Sequence, residues 1–311
     1  MLGWLLPLLV TVSFYGLAGG IWKQCGLTLG AISLLYVAAK SVVNLGAWAV
    51  FSRRPFLDQE SRGFLSWAMA GSFFNGLAWI GYFTALTLGP AAIVQTITAA
   101  YTALAALLAL IFLRERVVAV QAIGIALVIG AGLFLGYTGA TEGGAGWVWV
   151  AASVATLLFW GVAVTMFKQA YNQPHADDWR FFVVNWVGIV LTMLPYGLAT
   201  EHPLTPGRDL TLGLLIVTLY ALGDLTLFAA IARGPASIVS PVSGLYPVPT
   251  LFYASLVLGE KISPAQWVAI VVVLAAIVMV VPAPDNPLLR LLQGSKQPAG
   301  NAPAESIQEN V

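Results

Sequence analysis

The sequence predicts an all-α integral membrane protein, with ten transmembrane helices in two inverted five-helix repeats. Three observations predict it: a composition too apolar for a soluble domain, ten apolar stretches of spanning length, and one internal offset that maps the first half of the chain onto the second.

Of the 311 residues, 59% are hydrophobic and 9% are charged, against roughly 25% charged in an ordinary soluble domain. The net charge of +1 gives no reason to expect nucleic acid or an anionic lipid surface as a partner. Cys25 is the only cysteine, so an intrachain disulfide is excluded. His175 and His202 fall in polar loops without a Cys/His cluster, so neither a metal site nor a cofactor site is expected. The opening Met1-Leu2-Gly3-Trp4 is apolar but has no Lys or Arg ahead of it, unlike a secretory signal. It is read as a first span that stays.

A membrane helix needs about 20 apolar residues to cross roughly 30 Å of hydrocarbon. The stretches that qualify are 2–22, 29–51, 64–86, 90–112, 117–137, 146–167, 180–198, 211–232, 235–257 and 265–283. Turn or charge clusters separate them, such as Arg53-Arg54-Pro55, Gly89-Pro90, Gly234-Pro235 and Gly259-Glu260-Lys261. The tail 284–311, rich in Pro, Asn, Gln and Ser, is expected to be a disordered cytoplasmic segment with at most an interfacial turn at Leu288 to Leu292.

With both termini on one side, that side holds Arg53, Arg54, Arg62, Arg114, Arg116, Lys168, Arg180, Arg233, Arg290 and Lys296. The other side holds Lys23, Arg208 and Lys261. The imbalance places the N- and C-termini in the cytoplasm, with the chain a multi-pass protein of the cell (inner) membrane.

The internal offset is 145 residues. Phe14-Tyr15-Gly16 recurs as Phe159-Trp160-Gly161, Lys23-Gln24 as Lys168-Gln169, and Gly89-Pro90-Ala91-Ala92-Ile93-Val94 as Gly234-Pro235-Ala236-Ser237-Ile238-Val239. Tyr101 recurs as Tyr246, and Leu113-Arg114-Glu115-Arg116 as Leu258-Gly259-Glu260-Lys261. The expected repeats are 1–138 and 146–283. Five spans is an odd number, so the second repeat must enter the membrane inverted. Inverted repeats are an architecture of secondary transporters, with the solute site near midplane between the halves.

These motifs resemble the drug/metabolite transporter superfamily, and within it the EamA-type ten-helix permeases. The carrying residues are Phe14-Tyr15-Gly16, Gly89 to Val94, Leu113 to Arg116, Ser240-Pro241-Val242-Ser243-Gly244-Leu245-Tyr246-Pro247 and Leu258 to Lys261. The resemblance implies alternating access through a central cavity, with the last span of each repeat more peripheral. It does not fix the substrate, because such permeases carry amino acids, sugars, nucleotide sugars, organic phosphates, purines and drugs.

Charge inside hydrocarbon marks the candidate site. Lys40 and Asp224 are the only charged side chains near the middle of apolar spans, and each costs at least roughly 2.5–3.5 kcal/mol to insert. Lys40 either binds a substrate carboxylate or phosphate or is a structural lysine paired with a neighbouring helix. Asp224 binds a substrate amine, carries a coupling proton, or neutralises Lys40. The offset pairs Lys40 with Asn185 and Asp224 with Trp79. Tyr101, Tyr246, Tyr15, Trp160, Trp79, Gln95 and Ser243 are the further candidates for lining a cavity, with ordinary helix packing as the competing reading.

Pro241, Gly244, Pro247 and Pro249 predict a kinked or unwound ninth span. The fourth span lacks these prolines, so the halves need not bend alike. Glu115-Arg116 and Glu260-Lys261 are expected to cap and anchor span ends, with a charge latch as the alternative. Gly19-Gly20, Gly71, Gly76, Gly81, Gly124, Gly130 and Gly132 are expected at close helix contacts.

No nucleophile elbow, phosphate loop or nucleotide-binding cassette occurs, so the chain is read as a non-enzyme whose coupling comes from a gradient or an exchanged solute. The partners expected are a small-molecule substrate, the lipid bilayer and a coupling proton, with no nucleic acid; the oligomeric state stays open. The reading is a secondary active transporter exporting a small polar or zwitterionic metabolite such as an amino acid. The alternatives are a sugar, nucleotide-sugar or lipid-linked sugar transporter of the same fold, or a non-transporting sensor or scaffold.

Overall fold

A computed structural model describes residues 3–52, 61–113, 119–142, 146–233 and 242–280. These contain α1 (Leu5–Trp22), α2 (Leu29–Phe51), α3 (Arg62–Leu88), α4 (Ala91–Ala99), α5 (Tyr101–Leu113), α6 (Ala119–Glu142), α7 (Val148–Tyr171), α8 (Asp178–Ala199), α9 (Arg208–Arg233), α10 (Pro247–Leu256) and α11 (Pro264–Val280), with no strand among the described residues. The tail 284–311, Glu115-Arg116 and Gly234 to Pro241 lie outside them.

Leu5–Trp22, Leu29–Phe51, Val148–Tyr171, Asp178–Ala199 and Arg208–Leu227 are each long and apolar enough to cross a membrane; Ala91–Ala105, Ala122–Leu135 and Pro264–Met279 are shorter apolar helices. α3 has the length but is more polar, and its position explains why. It lies at the centre, packed along α7 and α8. Glycines make that approach possible: a Cβ at Gly71 would stand 2.7 Å from the Phe167 ring, and one at Gly81 would stand 2.7 Å from Thr156 Oγ1. Gly76 likewise faces Thr192 with no room for a side chain. Gly130 and Gly132 behave otherwise. Among the described residues nothing lies within 4 Å of a Cβ at either, so these two expected contacts are not found there. Both sit in α6, a helix that packs chiefly on α11 and turns Ile129 and Leu133 outward.

Helix ends follow local chemistry. Thr28 caps α2 by accepting the Ala31 amide, and Asp177 caps α8 by accepting the Arg180 amide. Gly89 is extended and Pro90 takes the N-cap position of α4.

The fourth span breaks at Ala100, between α4 and α5, where the Ala100 amide reaches Ile97 and the Ala103 amide reaches Ala100. The ninth span breaks at Gly244 to Tyr246, where the Leu245 amide reaches Val242 and the Val248 amide reaches Leu245. These are the same bonds displaced by 145 residues. The two halves bend alike there, although only one carries prolines. In the fourth span, Thr98 Oγ1 donates to Val94 and Gln95 carbonyls and Thr102 Oγ1 to Ala99, so hydroxyls satisfy carbonyls beside the break.

Candidate functional site

Lys40 lies midway along α2 and is followed at once by a π-turn, Ser41–Leu45. The widened turn is held by α8: Trp186 Nε1 donates to Ser41 Oγ at 2.7 Å, and Asn44 Nδ2 donates to the Phe182 carbonyl at 3.0 Å. Lys40 has no solvent exposure, and its ammonium forms a salt bridge with Asp224 of α9. The Asp224 carboxylate also accepts the Tyr15 hydroxyl and, at 3.4 Å, the Tyr36 hydroxyl. Three donors from two helices therefore answer one carboxylate. The Tyr36 ring adds a face 5.9 Å from Lys40 Nζ.

Asp224 stands in the wall of a cavity of about 340 Å³, within the size range of small-molecule sites. Its floor is the hydrogen bond between the Tyr82 and Tyr220 hydroxyls, 3.0 Å apart. Trp79, Tyr101 and Trp160 form aromatic walls, with ring centroids 5.3 Å apart for Trp79–Trp160 and 5.6 Å for Tyr101–Trp160. Trp160, Val164, Phe167, Lys168 and Tyr171 line it from one face of α7. That face extends over about 16 Å, ending in Lys168, Tyr171 and Asn172 at the helix terminus.

Of the residues singled out from sequence, Asp224, Tyr101, Tyr246, Trp79, Asn185, Tyr15, Trp160 and Ser243 line this cavity. Lys40 and Gln95 do not. Lys40 lies behind Asp224, and Gln95 is buried against Gly19 beside the Tyr82 hydroxyl. Asn185 is 2% exposed, and its Oδ1 has no donor from the protein. Asn75, Tyr82, Tyr220, Phe167, Lys168 and Asn172 also line the cavity without having been singled out. Asn75 was legible as a polar residue in an apolar span; the others required knowing which way each helix faces.

On the far side of the floor the halves are joined. Thr98 bonds Tyr246 at 3.1 Å, and the Glu260 carboxylate accepts the Ala91 and Ala92 amides at 2.9 and 3.4 Å. Glu260 thus caps α4 from the other half of the chain, satisfying amides that a helix start leaves unpaired. Among the described residues no group of His, Cys, Asp and Glu could hold a metal ion.

The EamA-like transporter family model matches residues 147–281. An uncharacterised protein of Methanocaldococcus jannaschii is 30% identical over 122 residues, which is 39% of this chain and 88% of that protein. A protein of known crystal structure shares the fold, with a TM-score of 0.60 at 16% identity over 89% of this chain and 96% of its own. The helical architecture, the matched segment and the relative agree, and the chain belongs to the EamA-like transporter family.

Proposed function

We propose that the protein is a secondary active transporter of the cell membrane, not an enzyme. In this reading it exports a small polar or zwitterionic metabolite, such as an amino acid, by alternating access between repeats 1–138 and 146–283. The observation that carries it is a cavity closed by Tyr82–Tyr220 at one end, bounded by Lys168 and Asn172 at the other, with an intramembrane ion pair in its wall. A buried ion pair is a poor source of stability, since desolvation offsets most of its attraction. Its place in a cavity wall therefore supports a role in binding.

The end with Lys168 lies on the side where the basic residues gather, which supports a cytoplasmic opening and loading from within. The amine of a solute would meet two acceptors, Asp224 and Asn185 Oδ1, while Trp79, Tyr101 and Trp160 cover its apolar part. Asp224 is also the group to carry a coupling proton, because protonation releases its hold on Lys40.

The test is flux in liposomes of the purified chain, using labelled amino acids, sugars and purines with and without a pH gradient. Saturable movement of one class, accelerated by the gradient and lost in Asp224→Asn, is the expected result. Equal leakage from protein-containing and empty liposomes for every solute would remove the reading.

A further inference from the structure

Lys40 is fully buried behind Asp224 and cannot touch a solute in the cavity. The remaining charged side chain along the cavity is Lys168, exposed at its rim and without a salt bridge among the described residues.

Its depth fits a direct role. Across α3 and α7, Trp160 bonds Asn75 and Phe167 meets Gly71; across α3 and α8, Gly188 meets Ser72. Counting from these contacts at about 1.5 Å per residue, the Cα atoms of Lys168 and Asn185 lie within about one helical turn of each other in depth. The Trp186–Ser41 bond brings the residue after Lys40 against α8 beside Asn185, so Lys40 and its partner Asp224 lie within about two helical turns of Asn185 in depth. A solute whose donors engage Asn185 Oδ1 and Asp224 therefore has Lys168 as its neighbour on the open side.

The repeat supplies an independent observation. Lys23 is the counterpart of Lys168 at the end of the first helix of the other half, on the side that is closed. There burial holds the Lys23 ammonium below its usual value, and the nearby Glu260 carboxylate pulls it back up. On the closed side the lysine is half-buried with the Glu260 charge nearby, whereas on the open side its equivalent is exposed at the cavity rim.

We propose that Lys168, not Lys40, receives the anionic group of the solute at the open end, and that Lys23 does so when the opposite side opens. The solute class that follows is a zwitterion entering with its amine deep and its carboxylate toward the rim. This assignment rests on the transport reading above.

The test pairs each zwitterion with the carboxamide that keeps its amine and lacks its carboxylate: leucine with leucinamide and phenylalanine with phenylalaninamide, presented to the full chain in liposomes. For solute at the Lys168 face, Lys168→Gln raises KM for the carboxylates about tenfold, as expected for loss of a charge-assisted hydrogen bond. KM for the amides stays within twofold, and Lys168→Arg keeps the carboxylate preference. Lys23→Gln produces the same loss for solute at the opposite face. A lysine that only complements the α7 dipole would change stability and leave the acid-to-amide ratio intact. An unchanged ratio in Lys168→Gln, with wild-type flux present, overturns the assignment and leaves the transport reading standing. Absence of saturable wild-type flux for all four probes, with flux of another solute class, overturns the zwitterion assignment alone. Absence of flux for every solute class removes both.

Discussion

A carboxylate near the middle of a membrane-spanning helix persists only where its charge is answered within a few ångströms, and Asp224 has Lys40, Tyr15 and Tyr36 to do so. Removing one partner strands the other. Asp224→Asn should lower stability by about 3–5 kcal/mol because the Lys40 ammonium is left buried and unpaired. The double replacement Lys40→Met with Asp224→Leu should recover most of that loss but not transport. Thermal unfolding in detergent alongside flux separates the two effects; recovery of both would make the pair a purely structural feature. These two residues were legible in the sequence because a charge in an apolar span has no ordinary explanation. Gln95 looked equivalent in type to Asn185. Its helix turns it against Gly19, and side-chain polarity alone does not report helix rotation.

At the scale of the element, α3 is the central strut, and its lower hydropathy is the consequence of facing protein on most sides. Gly76→Leu should prevent the approach of α3 to α8, where Thr192 already fills the space, and cost several kcal/mol as overpacking does. Loss of the wild-type elution peak on size exclusion is the readout, and normal elution with wild-type melting would contradict this packing. The breaks in the fourth and ninth spans show where sequence reading reached its limit. Prolines announced the second break, but the first depends on threonine hydroxyls at Thr98 and Thr102, which are common in helices and signal nothing alone. The π-turn after Lys40 had no sequence signature either. It arises from Trp186 and Asn44 bonds between α2 and α8, a tertiary effect.

For the whole molecule, closure on the Tyr82–Tyr220 side rests on bonds between the halves, with Glu260 on the α4 amides as the charged one. Glu260→Ala should shift the population toward opening on that side by about tenfold, the equivalent of a charge-assisted hydrogen bond of about 1.5 kcal/mol. In a Cys25→Ser background with Asn75→Cys in the cavity, an impermeant maleimide applied at that face should label the variant faster. Unchanged labelling would mean that Glu260 only anchors its loop. The span count, the offset of 145 and the side rich in Lys and Arg were all readable from the chain, because hydrocarbon thickness and insertion chemistry constrain sequence strongly. Which end of the cavity is closed was not, because that depends on which way Tyr82 and Tyr220 face across their helices.

The measurement that tests the account most directly is flux through Val164→Trp. Val164 lines the cavity on α7, one turn beyond Trp160, and does not take part in the ion pair or the Tyr82–Tyr220 floor. An indole there should fill the passage and abolish saturable flux while the protein elutes and melts like the wild type. A well-folded Val164→Trp variant that transports at the wild-type rate would show that solute does not pass through this cavity.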